Sequence, residues 1–298
     1  MSEQVVEMKQ PLLMDLMTLY LPAKDPYTTA KWYVDIFGFD PNASQHSPLQ
    51  EGAGLVVLHT ASSLTLFFVR SEDKLPLNFN NNEGYNHAAL LFRVKDAEIE
   101  ELYARLIEHG VPLANEAIQD RGGCGREIAF YDPDGRKIEV NTYGTWSSPT
   151  TNEPRVEEQT QPFLMDVMTL YLPASNPYAA AKWYVDMLGF DPNASQHSPL
   201  KQGAGSVVLH TASGMELFFI QSEDKMPLSF NNDEGYNHAV LLFRVMDSEI
   251  EKLYARLIEH GAGLAADGIN DRGGCGREIA FYDPDGRKVE INSFGTFY

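Results

Sequence analysis

A histidine and a glutamate recur at matched places in this sequence, His87 with Glu139 and then His238 with Glu290. Imidazole and carboxylate are side chains that hold or move protons, so their placement decides what they can do. Glu139 lies in the stretch 119–146, which returns almost unchanged at 270–297. Within it, DPDG carries the signals of a type I turn: Asp132 accepts from the backbone ahead, Pro133 fixes φ, and Gly135 takes a left-handed conformation. A three-residue loop with a glycine bulge pairs Asp132 with Arg136. That register sets Glu139 opposite Ala129 and Lys137 opposite Tyr131, with Glu127 and Asn141 on the same face. Ile128, Phe130, Ile138 and Val140 share the other. The hairpin therefore has an apolar back and a polar front, and Ala129 leaves room before the carboxylate.

The segment 86–94, NHAALLFRV, reads as one strand with His87, Ala89, Leu91 and Arg93 on an open face. Ala88, Leu90, Phe92 and Val94 then pack under a helix. In 16–21 the same alternation leaves Thr18 and Tyr20 together, and in 64–70 it groups Thr65, Phe67 and Val69. The second copy gives Thr169, Tyr171, His238 and Phe218 in parallel, but carries Glu216 where the first has Thr65. A carboxylate there faces the same cavity as Phe218, which makes this the most informative difference between the copies.

Residues 11–145 match 162–296 without a gap and with about three-quarters identity, a duplicated domain rather than a solenoid unit. The reading is a first domain at 11–146, a solvated Ser-, Thr-, Pro- and Glu-rich linker at 147–161, and a second domain at 162–298. In each copy a strand is followed by a helix that Asp25–Pro26 opens and Gly38 closes. Three strands follow near 39–47, 53–60 and 64–70, then the strand at 86–94, a helix from Asp96 to His109, a short strand near 113–118 and the hairpin. Each copy is thus two βαβββ halves, and the fold class is α+β with mixed sheets covered by helices on one side.

A length of 298 residues suits two ordinary domains. A formal charge of −19 argues against nucleic acid or an anionic membrane as partner. No apolar run reaches the roughly 18–20 residues of a membrane span, and MSEQVVEMKQ lacks a signal-peptide core. Cys124 and Cys275 read as reduced thiols of a cytoplasmic protein. His59 and His210 read as turn residues, and His46, His197, His109 and His260 as structural or solvated.

The element order, the helix ending KWYVDIFGF, the strand opening with His87 and the GREIAFYDPDGRKIEV hairpin resemble the vicinal oxygen chelate superfamily. Its members include glyoxalase I, extradiol dioxygenases and the bleomycin and fosfomycin resistance proteins. The resemblance implies two tandem glyoxalase-like domains whose paired modules curl into open, barrel-like sheets around a divalent metal, held from the first and fourth strands of each module. Carried over, the metal ligands are His87 and Glu139, His238 and Glu290, with Glu216 at a further position and the weak donors Thr18 and Thr169 at the first-strand position. Pairing across copies would gather His87, Glu139 and Glu216; pairing within copies would give two sites with His and Glu alone. Zn²⁺, Ni²⁺, Mn²⁺ or Mg²⁺ would act as a Lewis acid, with Glu216 or Glu139 moving the proton. Tyr20, Phe67, Tyr171 and Phe218 would line an aromatic cleft, and Arg126 and Arg277 would bind a substrate carboxylate or phosphate. The expectation is a metal-dependent lyase or isomerase for a small oxygenated substrate, as a monomer with paired domains or a homodimer. Its rival is a metal-free protein that sequesters a hydrophobic or aromatic small molecule, as the resistance relatives do.

Overall fold

The computed structural model describes residues 13–41, 47–60, 64–144, 163–191 and 198–295. The expected linker, His46 and His197 lie outside them. The first copy contributes β1 (Leu13–Ala23), α1 (Pro26–Phe37), β2 (Leu55–His59), β3 (Thr65–Arg70), β4 (Asn78–Asn80), β5 (Asn86–Ala88), β6 (Leu90–Val94), α2 (Ile99–Glu108), β7 (Gln119–Asp120), β8 (Arg126–Tyr131) and β9 (Lys137–Asn141). The second contributes β10 (Leu164–Ala174), α3 (Pro177–Leu188), β11 (Ser206–His210), β12 (Glu216–Gln221), β13 (Ser229–Asn231), β14 (Asn237–Ala239), β15 (Leu241–Val245), α4 (Ile250–Glu259), β16 (Gly263–Leu264), β17 (Asn270–Asp271), β18 (Arg277–Tyr282) and β19 (Lys288–Asn292). The fold is mixed α+β, as the sequence reading has it.

The first helix forms where the sequence places it. The Asp25 side chain accepts from the Tyr27 N–H, Pro26 sits in the first turn, and Gly38 at φ 76° returns its N–H to Val34. Ala30, Tyr33, Ile36 and Phe37 fall on one face and are buried. The hairpin also adopts the expected register, with Ala129 opposite Glu139 and Tyr131 opposite Lys137. Its turn is tied inward by a buried network. The Arg136 Nε donates to Asp132 at 2.7 Å, the Tyr33 hydroxyl donates to the same carboxylate at 3.0 Å, and Arg136 also reaches the Pro22 carbonyl. Removing either charge would strand the other in the core, at a cost of about 3–5 kcal/mol.

The two large sheets are assembled from both copies. One runs β16-β18-β19-β15-β1-β3-β2 and the other β11-β12-β10-β6-β9-β8-β7. β1 pairs antiparallel with β15 of the other copy, and β10 with β6. The helices pack on one side of these sheets; the opposite, concave side carries Thr18, Tyr20, Thr169 and Tyr171. Of the two pairings left open by the sequence, the strands adopt the one across copies.

Two strand readings are corrected. The single strand expected at 86–94 breaks at Ala89, whose N–H donates to the Leu77 carbonyl while its own carbonyl accepts from the Tyr171 N–H, so that it divides between two ladders. The first three residues leave as β5 to pair with β4, and only 90–94 stay in the sheet. The expected strand near 113–118 is reduced to an isolated bridge between Leu113 and Phe130. Of the stretch 39–47, residues 42–46 lie outside the described chain.

Gly125 shows how tightly the hairpin base is built. It sits at φ 86°, ψ −170°, and an added Cβ would meet the Tyr143 nitrogen at 2.7 Å and Asn141 Oδ1 at 2.8 Å. Gly122 also has positive φ, 60°, but with nothing within 4 Å. Gly125→Ala is expected to lower stability by about 3 kcal/mol or more, from strain plus overlap. Gly122→Ala should cost about 1–2 kcal/mol, from backbone strain alone. Urea unfolding of the two variants checks the order.

Candidate functional site

Each concave face carries one row of side chains in cross-strand register. On the second sheet the row runs His210, Glu216, Thr169, Leu91, Glu139, Ala129. On the first it runs His59, Thr65, Thr18, Leu242, Glu290, Ala280. Paired residues in neighbouring strands point to the same face, so each row lines one hollow. Glu216 and Glu139 thus share a face although they lie in different copies, 77 residues apart in the chain.

The register moves the histidine expectation. Leu91 and Leu242, not His87 and His238, stand beside the threonines and glutamates. His87 sits on the β4–β5 ribbon, opposite Phe79 and stacked on it with centroids 5.4 Å apart. Tyr85 meets its ring edge-on at 4.5 Å, and Tyr171 approaches at 5.2 Å. Its Nε2 lies 3.3 Å from the Asn81 amide nitrogen, a contact in which a neutral imidazole accepts. Burial, then the Lys137 and Arg121 charges, pull its pKa down to about 4. His238 repeats this with Phe230, Tyr236, Tyr20 and Asn232, and with the same depressed value.

Glu139 is enclosed, 2% exposed, and already partnered. The Lys137 ammonium lies 2.9 Å from its Oε1, and the Ala88 N–H donates to the same oxygen at 3.2 Å. Lys137 also donates to the Asn86 carbonyl. Burial raises the pKa of Glu139, and the lysine works against that rise. Beside this pair Arg121 binds Glu127 at 2.9 Å and donates to the Tyr85 hydroxyl at 3.0 Å. Glu290 has the same enclosure, with Lys288 at 2.8 Å. Glu216 differs: it is about one-third exposed, accepts from the Thr169 hydroxyl at 3.0 Å, and has His210 Nε2 3.6 Å away. In the first sheet Thr65 and Thr18 simply bond to each other at 2.7 Å.

This donor set does not fit a divalent ion. Of one position on each of four strands, the second sheet offers two carboxylates, a hydroxyl and an apolar side chain, and one carboxylate is neutralised by an ammonium. The first sheet offers a single carboxylate, equally neutralised. Among the described residues no three His, Cys, Asp or Glu groups come close enough to share an ion.

Tyr171 with Phe218, and Tyr20 with Phe67, do lie in the hollows, with ring centroids 5.3 and 5.0 Å apart. Arg126 and Arg277 do not. Arg126 points to the helix side, where its Nε lies 2.9 Å from Asp96 and its Nη1 engages Glu100; Arg277 does the same with Asp247 and Glu251. Parity along β8 is the reason, since residue 126 shares its face with Ile128 and Phe130. Lys137 was legible as a same-face neighbour of Glu139, whereas Arg121, Tyr85 and His210 carry no local signal for their places here.

The depressed imidazoles give a pH test. Unfolded, both histidines take protons near pH 6.5; folded, they resist until about pH 4. The unfolded state therefore binds more protons in that window, and stability falls as pH drops from about 6.5 toward 4. Thermal melts across pH 4–7 should show this decline, and His87→Phe, His238→Phe should flatten it.

A search of curated proteins finds no match to the chain. Among solved structures, a provisionally named dioxygenase from Bacillus subtilis strain 168 is 14% identical, covers 96% of this chain and 86% of its own, and gives a TM-score of 0.62. Glyoxalase I from Zea mays is 14% identical, with 93% and 92% covered and a TM-score of 0.59. At that identity the likeness shows the fold. The Glyoxalase/Bleomycin resistance protein/Dioxygenase superfamily model matches twice, over residues 15–140 and 166–291. Enzymatic, metal-assisted action on small molecules is general in that group, and the lysine-closed glutamates of this chain depart from it. The chain belongs to the Glyoxalase/Bleomycin resistance protein/Dioxygenase superfamily.

Proposed function

We propose that this protein binds a planar, aromatic, oxygenated small molecule in its concave clefts without a divalent metal. The observation that carries the reading is the pairing of Lys137 with Glu139 and of Lys288 with Glu290, at 2.9 and 2.8 Å, where a metal ligand was expected. An ammonium already neutralises each enclosed carboxylate, so an added cation would have to displace it. What faces the hollow is aromatic and half-buried: Tyr171, Phe218 and His87 in one cleft, Tyr20, Phe67 and His238 in the other. Such surfaces suit a flat ring, since stacking adds about 0.5–1.5 kcal/mol per aromatic pair beyond the area buried. The reading takes 11–146 and 162–298 as repeat domains joined by 147–161, with one chain supplying both halves of each cleft and a monomer as the working unit.

A second reading rests on Glu216. Among the described residues only its row has an accessible carboxylate, with Thr169 donating to it and His210 beside it. That cleft would be the one in which a bound substrate loses or shifts a proton, as a lyase or isomerase requires.

Calorimetric titration of EDTA-treated protein with hydroxylated aromatics (catechol, 2-naphthol, a flavonol) tests both. Binding is expected without added metal. Phe218→Ala should weaken it about tenfold or more at one cleft, leaving the Phe67 cleft intact. Binding that needs Mn²⁺ or Zn²⁺ and is abolished by Glu216→Gln would overturn the first reading in favour of the expected metalloenzyme.

A further inference from the structure

Each cleft holds two hydrogen-bond donors that no described residue takes up. One is an imidazole N–H, and the Asn81 side chain decides which ring nitrogen carries it. Asn81 Oδ1 accepts from the backbone N–H groups of Glu83 at 3.0 Å and Tyr85 at 2.9 Å, which turns the amide nitrogen toward His87. That nitrogen then donates to His87 Nε2, 3.3 Å away, so Nε2 accepts and the proton of the neutral ring sits on Nδ1. Asn232 holds His238 in the same way, accepting from Glu234 and Tyr236 at 3.1 and 2.8 Å and donating to Nε2 at 3.3 Å.

The other donor is a phenol. The Tyr171 ring lies 5.2 Å from that of His87, and the Tyr20 ring 5.1 Å from that of His238. Tyr171 comes from β10 and His87 from β5, so each pair joins the two copies. Among the described residues neither hydroxyl and neither Nδ1 has a hydrogen-bond partner, whereas the neighbouring Tyr85 hydroxyl accepts from Arg121 and donates to Glu127. All four side chains are partly exposed, and none of these atoms is sealed from solvent. Burial, then the charges of Glu139, Glu127 and Glu216, push the Tyr171 phenol far above its ordinary pKa; burial, Glu290 and Glu278 do the same for Tyr20. Both phenols keep their protons, and both imidazoles stay neutral above about pH 4.

We infer that the Tyr171–His87 and Tyr20–His238 pairs are the oxygen-binding ends of the clefts and select a ring-bound carbonyl, as in an aryl ketone, chromone or quinone. The assignment rests on the cleft-binding reading above and narrows it. A carbonyl oxygen has two lone pairs in the plane of its ring and no proton, so it accepts from the O–H and the N–H together. A phenol brings a proton of its own, which must find an acceptor between two donors. A carboxylate or phenolate would meet Glu216 in one cleft and gain no free cation in the other, where Lys288 and Arg272 are already paired with Glu290 and Glu278. Phe218 and Phe67, packed against the two tyrosines, lie where the flat ring would rest.

The tautomer is read without any ligand. Histidine ¹⁵N chemical shifts at pH 7, assigned with His87→Phe and His238→Phe, are expected to show the proton on Nδ1 of both rings; a proton on Nε2 would overturn the assignment. The full chain, treated with EDTA, is then titrated calorimetrically with 1-indanone, 5-indanol and indane, which share a ring skeleton and differ in their oxygen. The ketone is expected to bind about tenfold or more tightly than either comparator. Its infrared carbonyl stretch should lie lower when bound than in hexane. Tyr20→Phe with Tyr171→Phe, which keeps both rings and removes both hydroxyls, should weaken the ketone about tenfold or more and move the stretch back up. A cooperative thermal melt confirms that the double variant folds; if it does not, Tyr171→Phe alone should weaken one of the two sites. If none of the three compounds binds, the cleft reading fails and this assignment with it. Equal binding of all three, or ketone binding and stretch unmoved by the tyrosine substitutions, would overturn this assignment alone.

Discussion

Strand pairing between the copies is the constraint on which the remaining structure rests. β1 reaches across to β15, and β10 to β6, so no concave face belongs to one copy. A residue's functional neighbours are consequently far from it in the chain: Glu216 shares its row with Glu139, and Tyr20 its ring contact with His238. The ribbons that cover the hollows are held the same way. Asn80 donates to Asp224 at 2.6 Å, and Ser222 donates to the Asn80 carbonyl at 2.6 Å. Within a copy, the Arg136–Asp132–Tyr33 network ties the hairpin turn back to the first helix and strand. The two systems of contact together leave a single continuous apolar core.

The enclosed Lys–Glu pairs carry the functional consequence. Burying two charges sacrifices their hydration, and the attraction between them offsets that loss only when further hydrogen bonds complete both partners. Here they do: the lysine reaches a backbone carbonyl and the glutamate a backbone N–H. A carboxylate so satisfied is a poor ligand. The pair instead ties the sheet to the ribbon that carries the histidine, through the Ala88 N–H and the Asn86 carbonyl. The two rows then differ at one decisive place, Thr65 against Glu216, so that among the described residues only one row has an accessible acid.

Much of this was legible in the sequence because it is locally determined. The Asp132 turn fixes its own register, and the register alone puts Glu139 and Lys137 on one face. The helix bounded by Asp25 and Gly38 follows from cap chemistry. What escaped is set by distant partners. The chain at 86–94 alternates well enough for one strand, yet it breaks at Ala89 because β4 competes for its first three residues; the break moves His87 onto the ribbon and leaves Leu91 in the row. Arg126 departs from expectation for a different reason: parity along β8 sets it with Ile128 and Phe130 on the helix side, where Asp96 and Glu100 take its charge. The ion pair of Arg93 with Asp166 is invisible in sequence, since the two meet only through the β10–β6 pairing.

The most direct measurement is cleavage of the chain between the copies, at a protease site introduced at residue 154, followed by sizing of the product under native conditions. If each face is shared, the two fragments stay together at the mass of the intact chain, 33.4 kDa, and separate only in denaturant. Fragments that part without denaturant as two independently folded bodies of half that mass would contradict the pairing, and with it the shared clefts.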